Sequence, residues 1–461
     1  MVAEATQFLK TISFKDTANW NIKQSFNETP IKSRFDFSCI GEYIHRRKDA
    51  MKVEGDKEYK RVTIKTKNGG VVVRDIILGD EIKTKDQYYV SMDQLVVSKI
   101  DARNGAFGVV PADADKAIIT GNFWAYDVDA TRVNIQYLLL IFSSEQFVEA
   151  WQNCSNGSGN RLYLQEKQFL QQNIPLPKIG EQNGLVKQYE DRMAEAESYK
   201  EKIELLEASI ETYLFDSLGI VIAPNKPEPT SFLSCTSLSK LVKWTVDFNL
   251  NAIKPENVFK STKYKNTGIA HFCEINPTTE YPDDITNISF VPMECISDLY
   301  GEITSMKKGS VSLAKGYTRF QEDDVVWAKI TPCMQNGKTA VAKGLDNGFA
   351  YGSTEYYVFR PFENVALPEY IHAFLRTAYM RKVARVYFTG SVGQQRVGMD
   401  LFEGLTLPEI PPTFENSDDI TQVKIVAHIS GIKEQIKALR QKAESLRKLA
   451  KKEFDAAVFS E

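Results

Sequence analysis

The stretch Asp93-Gln-Leu-Val-Val-Ser-Lys-Ile100 has a counterpart later in the chain, Asp323-Asp-Val-Val-Trp-Ala-Lys-Ile330. Both are short β-branched runs that end in Lys-Ile, and their lysines are 230 positions apart. Further landmarks repeat at offsets of 231 to 233: Gly121-Asn-Phe-Trp-Ala-Tyr126 with Gly352-Ser-Thr-Glu-Tyr-Tyr357, Gly157-Ser158 with Gly390-Ser391, and Leu176-Pro-Lys-Ile179 with Leu407-Pro-Glu-Ile410. Offsets this constant predict a duplicated domain.

Each copy is followed by a segment with the apolar spacing of a coiled coil. Apolar or tyrosine residues recur with 4-3 spacing from Leu185 to Leu214, broken by Arg192, and without a break from Ile425 to Ala450. The net charge is −4 between residues 185 and 214 and +5 between residues 431 and 453. Opposite charges beside apolar seams predict that the two helices pack against each other, antiparallel. The alternative is that each helix only covers its own domain.

Between the first helix and the second copy, Ala223-Pro-Asn-Lys-Pro-Glu-Pro-Thr230 has three prolines, which is typical of an extended linker. The sequence therefore predicts five segments. They are a first domain (1–183), a central spacer helix (184–217), a Pro-rich linker (218–233), a second domain (234–412) and a C-terminal spacer helix (413–461).

The composition is that of a soluble globular chain of two or three domains. Of 461 residues, 43% are hydrophobic and 25% are charged, and the net charge of −3 argues against a simple high-affinity polyanion binder. The longest apolar candidate, Tyr137 to Phe142, is far shorter than the roughly 18 residues of a membrane span, and no secretory signal is recognisable at the N-terminus. The expected location is cytoplasmic, with six reduced cysteines that lack zinc-site spacing.

No pattern in the sequence predicts catalysis, a cofactor or a metal. Gly337-Lys-Thr339 resembles the end of a phosphate-binding P-loop, but Pro332 stands where that loop needs glycine. Asn276-Pro-Thr-Thr279 lacks the second proline and the aromatic residue of an amino-methyltransferase signature. The four histidines share no metal or triad spacing. We therefore expect a protein that is not itself an enzyme.

Glycine- and amide-rich loops with cations occur at equivalent places in both copies. Glycine allows close backbone approach, arginine pairs with guanine, and asparagine or glutamine pairs with adenine. The candidate DNA-binding residues are Lys99, Arg103, Asn104, Asn160 and Arg161 in the first copy and Lys329, Gln335, Asn336, Lys338, Gln394, Gln395 and Arg396 in the second. Candidate phosphate anchors are Arg46-Arg47-Lys48, Lys65, Lys67 and Lys307-Lys308. The alternative for any single residue is a solvated turn.

One set of motifs resembles the target-recognition domain of type I restriction–modification specificity subunits. It comprises Val325-Val-Trp-Ala-Lys-Ile-Thr-Pro-Cys-Met-Gln-Asn-Gly-Lys338, Gly352-Ser-Thr-Glu355, Gly390-Ser-Val-Gly-Gln-Gln-Arg396 and Leu407-Pro408. The first copy is similar in a more divergent form. The family's Glu-Gln pair after the closing prolines is present as Glu181-Gln182, whereas the second copy has Glu415-Asn416.

The resemblance implies an α+β fold, with two tandem mixed α/β target-recognition domains separated by two long helices that pair as an antiparallel coiled coil. It also implies a non-catalytic subunit in which each domain reads one half of a bipartite site in double-stranded DNA. The implied partners are two methyltransferase subunits, which carry S-adenosylmethionine, and optional translocating endonuclease subunits. The alternatives are a specificity subunit of another DNA-methylating phage-defence complex and a two-headed protein-binding adaptor.

Overall fold

The computed structural model describes residues 31–66, 69–158, 161–222, 246–391, 393–413 and 419–459. The chain divides into two compact units. The first comprises Met1–Glu197 with Ala443–Glu461, and the second comprises Ser198–Lys442. Each unit thus contains one sequence copy and one part of each long helical segment, whereas the predicted segments kept the helices apart from the domains. The division differs because the apolar seams of the helices join the cores of the domains.

Two sheets form the centre of the first unit, with strand orders β2-β10-β7-β8 and β3-β6-β9-β4-β5. Two further antiparallel pairs, β1 with β13 and β11 with β12, lie outside them. The strands are β1 (Phe37–Cys39), β2 (Ile44–Arg47), β3 (Asp49–Lys52), β4 (Glu58–Ile64), β5 (Val71–Leu78), β6 (Asp86–Tyr89), β7 (Leu95–Ser98), β8 (Phe107–Val109), β9 (Ile118–Ile119), β10 (Phe123–Val128), β11 (Ser155–Ser158), β12 (Arg161–Leu164) and β13 (Asn173–Pro175).

The helices of the first unit pack on the sheet that contains β7, around an aromatic core. They are α1 (Ile135–Phe142), α2 (Glu145–Asn153), α3 (Glu166–Leu170) and α4 (Ile179–Leu218), of which the residues after Glu197 belong to the second unit. Asn134 caps α1, because its side chain accepts hydrogen bonds from the N–H groups of Gln136 and Tyr137. The indole N–H of the buried Trp151 donates to the carbonyl oxygen of Phe142 at 2.9 Å, which fixes α2 against α1.

The second unit has two sheets with strand orders β15-β22-β19-β20 and β17-β16-β21-β18, and the antiparallel pairs β14 with β25 and β23 with β24. Its strands are β14 (Asn266–Gly268), β15 (Cys273–Ile275), β16 (Asn287–Val291), β17 (Lys307–Ser310), β18 (Thr318–Gln321), β19 (Val325–Ala328), β20 (Thr339–Val341), β21 (Phe349–Gly352), β22 (Tyr356–Pro361), β23 (Phe388–Thr389), β24 (Arg396–Val397) and β25 (Thr406–Pro408).

The helices of the second unit are α5 (Val246–Asn251), α6 (Pro368–Arg376), α7 (Ala378–Val386), α8 (Asp400–Glu403) and α9 (Gln422–Val458), of which the residues from Ala443 onward belong to the first unit. Proline is well suited to the first turn of α6, because the N–H it lacks has no helical partner there. Thr377 ends α6 and caps α7, since its hydroxyl accepts a hydrogen bond from the N–H of Met380.

The strand pairings of the two units correspond one to one, apart from the additional edge strand β3. Even the parallel strand pairs in the described part of the two units correspond, β4 with β9 and β16 with β21. Asp93 and Asp323, which precede the central strands β7 and β19, both have a positive φ, of 66° and 70°. The chain repeat that the landmarks predict is therefore present in the fold.

Within each unit, the local part of α4 packs against the local part of α9. In the first unit, Arg192, which interrupts the apolar seam of α4, lies 3.3 Å from Glu453 of α9. In the second unit, the ring of Tyr213 stacks on that of His428, with centroids 3.7 Å apart, and Arg440 pairs with Glu207. Later residues of α4 meet earlier residues of α9, so the two segments are antiparallel in the second unit.

The helix bounds differ from the predicted segments at their starts. The first long helix begins at Ile179 instead of residue 184, and the second begins at Gln422 within the segment predicted from residue 413. Both end close to the predicted positions, at Leu218 and Val458. Of the predicted linker 218–233, residues 223–233 lie outside the described residues, as does the start of the predicted second domain up to residue 245.

A buried glutamine ties the start of each long helix to its domain. The side-chain oxygen of Gln182 accepts a hydrogen bond from the N–H of Asn134, and that of Gln422 accepts one from the N–H of Leu367, both at 2.8 Å. Each side-chain amide also donates to two carbonyl oxygens, those of Arg132 and Pro177 and those of Val365 and Ile410. The counterpart of Gln182 is therefore Gln422 and not the Glu415-Asn416 pair, because nine additional residues lie between Ile410 and Gln422, compared with Ile179 and Gln182.

Candidate nucleic-acid interface

In the second unit, the loop after β19 and the β23–β24 hairpin lie side by side. The backbone N–H of Val397 donates to the carbonyl oxygen of Lys329, and that of Thr331 donates to the carbonyl oxygen of Gln395, both at 2.9 Å. An isolated bridge also pairs Ile330 with Arg396. These contacts bring together three of the predicted residues, Lys329, Gln395 and Arg396.

The guanidinium of Arg396 forms a two-point ion pair with the carboxylate of Glu355. Nε lies 2.9 Å from one oxygen and Nη2 lies 2.7 Å from the other, while Nη1 donates to the carbonyl oxygen of Gln394. The carboxylate raises the pKa of Arg396, whose side chain is 45% exposed. The pair therefore holds a planar donor group at the surface in a defined orientation, which is the geometry that contact with a base edge requires.

Each unit places a lysine ammonium over an aromatic ring at the same position of the repeat. Nζ of Lys329 lies 5.1 Å from the ring centroid of Tyr357, and Nζ of Lys99 lies 5.4 Å from that of Trp124. Burial lowers the pKa of both lysines, and Arg46 adds to the effect at Lys99. Both lysines are only partly exposed, so their ammonium groups are positioned by the fold.

The backbone around Lys99 repeats the arrangement around Lys329. The N–H of Lys99 donates to the carbonyl oxygen of Asn122, and the N–H of Leu164 donates to that of Lys99. In the second unit the corresponding partners are Glu355 and Val397. The β11–β12 hairpin thus lies beside the loop after β7 in the same way, and each unit has one such surface, formed by the loop, the start of the neighbouring strand and the hairpin.

The first unit has a partly buried ion pair at this surface. Arg46 forms an ion pair with Glu166, which also accepts a hydrogen bond from the hydroxyl of Tyr126 at 3.0 Å. The guanidinium carbon of Arg46 lies 5.5 Å from the ring centroid of Trp124. Only 18% of this side chain is exposed, so Arg46 packs within the unit, unlike the free phosphate anchor that the sequence suggested.

The remaining predicted residues are distributed along the same loops. Gln335, Asn336 and Gln394 are exposed. Asn104 is also exposed, and its amide donates to the carboxylate of Asp101 at 3.2 Å. Asn160 and the side chains of Arg103 and Arg161 lie outside the described residues.

The ammonium group of Lys338 is bound within the fold. It donates to the carbonyl oxygens of Met293 and Ile296, at 3.0 and 2.7 Å. These two bonds tie the end of the loop to the segment after β16. We therefore leave Lys338 out of the set that we propose to contact DNA.

Neither a metal centre nor a membrane span is found in the described part of the chain. No group of three or more histidine, cysteine, aspartate or glutamate side chains among the described residues could hold a metal ion. None of the described helices is both long enough and apolar enough to cross a membrane.

Two curated proteins of Escherichia coli match part of the sequence. The specificity subunits of the type I restriction enzymes EcoEI and EcoAI are 37% and 38% identical to it over 150 residues. The chain is similar to type I specificity subunits. The matched stretch is 32% of this chain and only 25% of each relative. The resemblance indicated by the motifs is thereby confirmed, although no protein-family model matches the chain.

One solved structure resembles nearly the whole chain. It comes from work on complex assembly and conformational transition of the type I R-M system, and it covers 93% of this chain and 98% of its own. The TM-score is 0.52 at 16% sequence identity, so this likeness concerns the fold alone. The mixed α/β fold predicted from the sequence is the fold observed.

Sequence reasoning missed two features of this surface, the aromatic partners of the lysines and the carboxylate partner of Arg396. Tyr357 and Trp124 lie in the repeated glycine landmark, but its offset of 231 pairs Tyr357 with Tyr126, whereas the strand registers pair it with Trp124. Pairing each ring with a lysine requires the register of β22 with β19 and of β10 with β7. Glu355 could not be assigned to Arg396, because 41 residues separate them.

Proposed function

We propose that this chain is the specificity subunit of a type I restriction–modification complex, and that it has no catalytic activity of its own. Each unit reads one half of a bipartite site in double-stranded DNA through its loop and hairpin surface. The observation that carries the proposal is the occurrence of this surface twice, with the same backbone hydrogen bonds around Lys99 and Lys329.

The side chains at the two surfaces support reading of two different half-sites. The second unit offers the oriented guanidinium of Arg396 next to the amides of Gln394 and Gln395, a combination suited to guanine and adenine edges in the major groove. At the position of Arg396 the first unit has Tyr163, since Leu164 and Val397, the next residues, make the equivalent backbone hydrogen bond. Since the chemistry differs where the backbone agrees, the recognised sequence is asymmetric.

The long helices act in this proposal as spacer and docking platform. Helix α4 has 40 residues and α9 has 37, and a helix of that length spans roughly 55–60 Å at about 1.5 Å per residue. As an antiparallel coiled coil they set a fixed, non-specific gap between the half-sites and dock two methyltransferase subunits. Those partners bind S-adenosylmethionine and methylate adenine, and endonuclease subunits join them for restriction in the cytoplasm as a defence against phage.

Few phosphate contacts belong to this chain, so most of the affinity for DNA comes from the assembled complex. The net charge of −3 and the ion pairing of Arg396 and Arg46 support this division. Specificity then depends on oriented side chains and DNA shape more than on total charge.

The decisive experiment is a modified-base map of the source genome with and without the gene. Deletion is expected to remove methylation from one bipartite adenine motif, and complementation with the intact gene is expected to restore it. Complementation with Arg396→Gln should relax one half-site and leave the other unchanged, because only the second unit loses its oriented donor.

The matched control is Arg385→Gln, which removes an exposed arginine from the last turn of α7 in the same unit. It should leave both half-sites intact. An unchanged methylation map after deletion would contradict the proposal and direct attention to the proteins that co-purify with the chain.

A further inference from the structure

A cavity of about 540 Å³ in the second unit lies between the α6–α7 helices and the parts of α4 and α9 that belong to that unit. The first unit has a crevice of about 200 Å³ at the corresponding place. Ala373 and Ile429 line the former where Leu140 and Tyr189 line the latter. The two spaces are therefore equivalent in the repeat, and the one in the second unit is larger.

The two spaces differ most in their charge. Arg376 lines the cavity where Ser143 lines the crevice. Lys433 follows Gln422 by eleven residues, and the residue that follows Gln182 by eleven is Met193. The first unit has the neutral residues Ser143 and Met193 at these two positions, so the fold does not require cations there.

Several positive groups of the cavity have donors without a direct hydrogen-bond partner, although five acidic side chains line the cavity beside five basic ones. Lys433 has no hydrogen-bond or ion-pair partner among the described residues. Nη2 of Arg440 pairs with Glu207, but its Nη1 is buried without a partner. Arg381 also lines the cavity and has one bond there, from Nη1 to the carbonyl oxygen of Arg376. Burial and then the nearby Arg376 lower the pKa of Lys433 to about 8, against the opposite influence of Glu302 and Glu369.

Most carboxylates that line the cavity already have partners. Glu211 accepts hydrogen bonds from the N–H groups of Ala378 and Tyr379 at the start of α7. Glu207 pairs with Arg440, and Glu302 lies 3.8 Å from Lys437. The other two, Asp298 and Glu434, are exposed. Arg376 is likewise committed, since it donates to the carbonyl oxygens of Gly337, Asp298 and Leu299.

We propose that this cavity is a binding site for a small molecule that carries a phosphate group, held by Lys433 and Arg381. An oxyanion with several acceptor oxygens can accept hydrogen bonds from both side chains together. The volume exceeds that of phosphate alone and leaves room for a group as large as a nucleoside. The cavity borders the loop after β19, since Asn336 of that loop lines it.

The test is calorimetric titration of the full chain with inorganic phosphate and with a nucleoside monophosphate, at constant ionic strength. Saturable binding is expected, and Lys433→Met should weaken it about tenfold or more, which corresponds to about 1.4 kcal/mol. This variant should fold, because it removes an unpaired charge from a partly apolar site. Arg381→Met provides a second, independent loss of affinity.

The matched control is Lys448→Met, which removes one positive charge from the exposed side of the same helix. It should leave phosphate affinity unchanged. The proposal is overturned if neither probe binds saturably, if Lys448→Met weakens binding as much as Lys433→Met, or if duplex DNA, in place of the small anions, binds in a Lys433-dependent manner.

Discussion

The two copies connect the same two positions of the repeat through side chains of different charge. In the second unit, Arg360 makes a two-point ion pair with Asp324, at 2.7 and 2.8 Å, and the carboxylate accepts a hydrogen bond from the backbone before β19. In the first unit, the same positions hold Asp127 and Gln94, joined by a single hydrogen bond of 2.7 Å. The backbone hydrogen bond to the second partner is retained, at 2.9 Å. The repeat thus preserves hydrogen-bond positions while side-chain charge varies.

The largest effect is expected from breaking the buried ion pair of the second unit. The side chain of Asp324 is 1% exposed, and burial raises its pKa even beside Arg360. Arg360→Met leaves that carboxylate buried and unpaired, which costs about 3–5 kcal/mol. Native-state hydrogen exchange of the amides in β19 measures the loss of stability in the second unit. The amides in β7 report the stability of the first unit separately.

The corresponding change in the first unit, Asp127→Asn, serves as the comparison. Asp127 is 49% exposed, so its removal should lower the stability around β7 by about 1 kcal/mol at most. A double variant, Asp324→Gln with Arg360→Asp, introduces the residues that the first unit has at these positions. It should recover most of the stability that Arg360→Met loses. Equal costs for Arg360→Met and Asp127→Asn would contradict the view that burial decides the difference.

A second prediction concerns the glutamines, where the copies agree. Gln182→Ala and Gln422→Ala each remove three hydrogen bonds and leave buried backbone groups unsatisfied, so each should cost about 2–3 kcal/mol. Hydrogen exchange near the start of each long helix measures both.

The control is Gln435→Ala, an exposed glutamine of α9, which should change stability by less than about 0.5 kcal/mol. A loss at Gln182 without one at Gln422 would mean that the two positions are not equivalent, and that the insertion before α9 has altered the joint between helix and domain.

These positions also show which features of the fold could be predicted from the sequence and which could not. The repeat follows from the constant offsets between the copies, and the two long helices follow from the apolar spacing, because both are local regularities. Gln422 was missed, because nine inserted residues move it away from the offset at which its counterpart was sought. Hydrogen bonds from side-chain amides to backbone carbonyl groups leave no periodic pattern in the sequence.

The candidate site was less predictable than the fold, because long-range register decides what a polar side chain contacts. Lys338 and Lys329 stand nine positions apart in one glycine-rich loop and look alike in sequence. The first is bound to carbonyl groups more than 40 residues earlier, and the second lies over an aromatic ring of the neighbouring strand. Strand topology separates their environments, and composition gives no indication of it.

The smallest predicted effect tests whether Lys329 and Lys338, which differ in their surroundings, also differ in their contact with DNA. If Lys329 contacts a phosphate, Lys329→Met weakens DNA binding by the assembled complex by about 1 kcal/mol and reduces the slope of log affinity against log salt by about 0.9. Lys99→Met should do the same through the other half-site. Lys338→Met should leave the slope unchanged, because its ammonium is already bound within the fold. If only Lys338→Met changes the slope, these assignments are reversed. Lys99 and Lys329, which lie over aromatic rings, would then stabilise the loops without contacting phosphate.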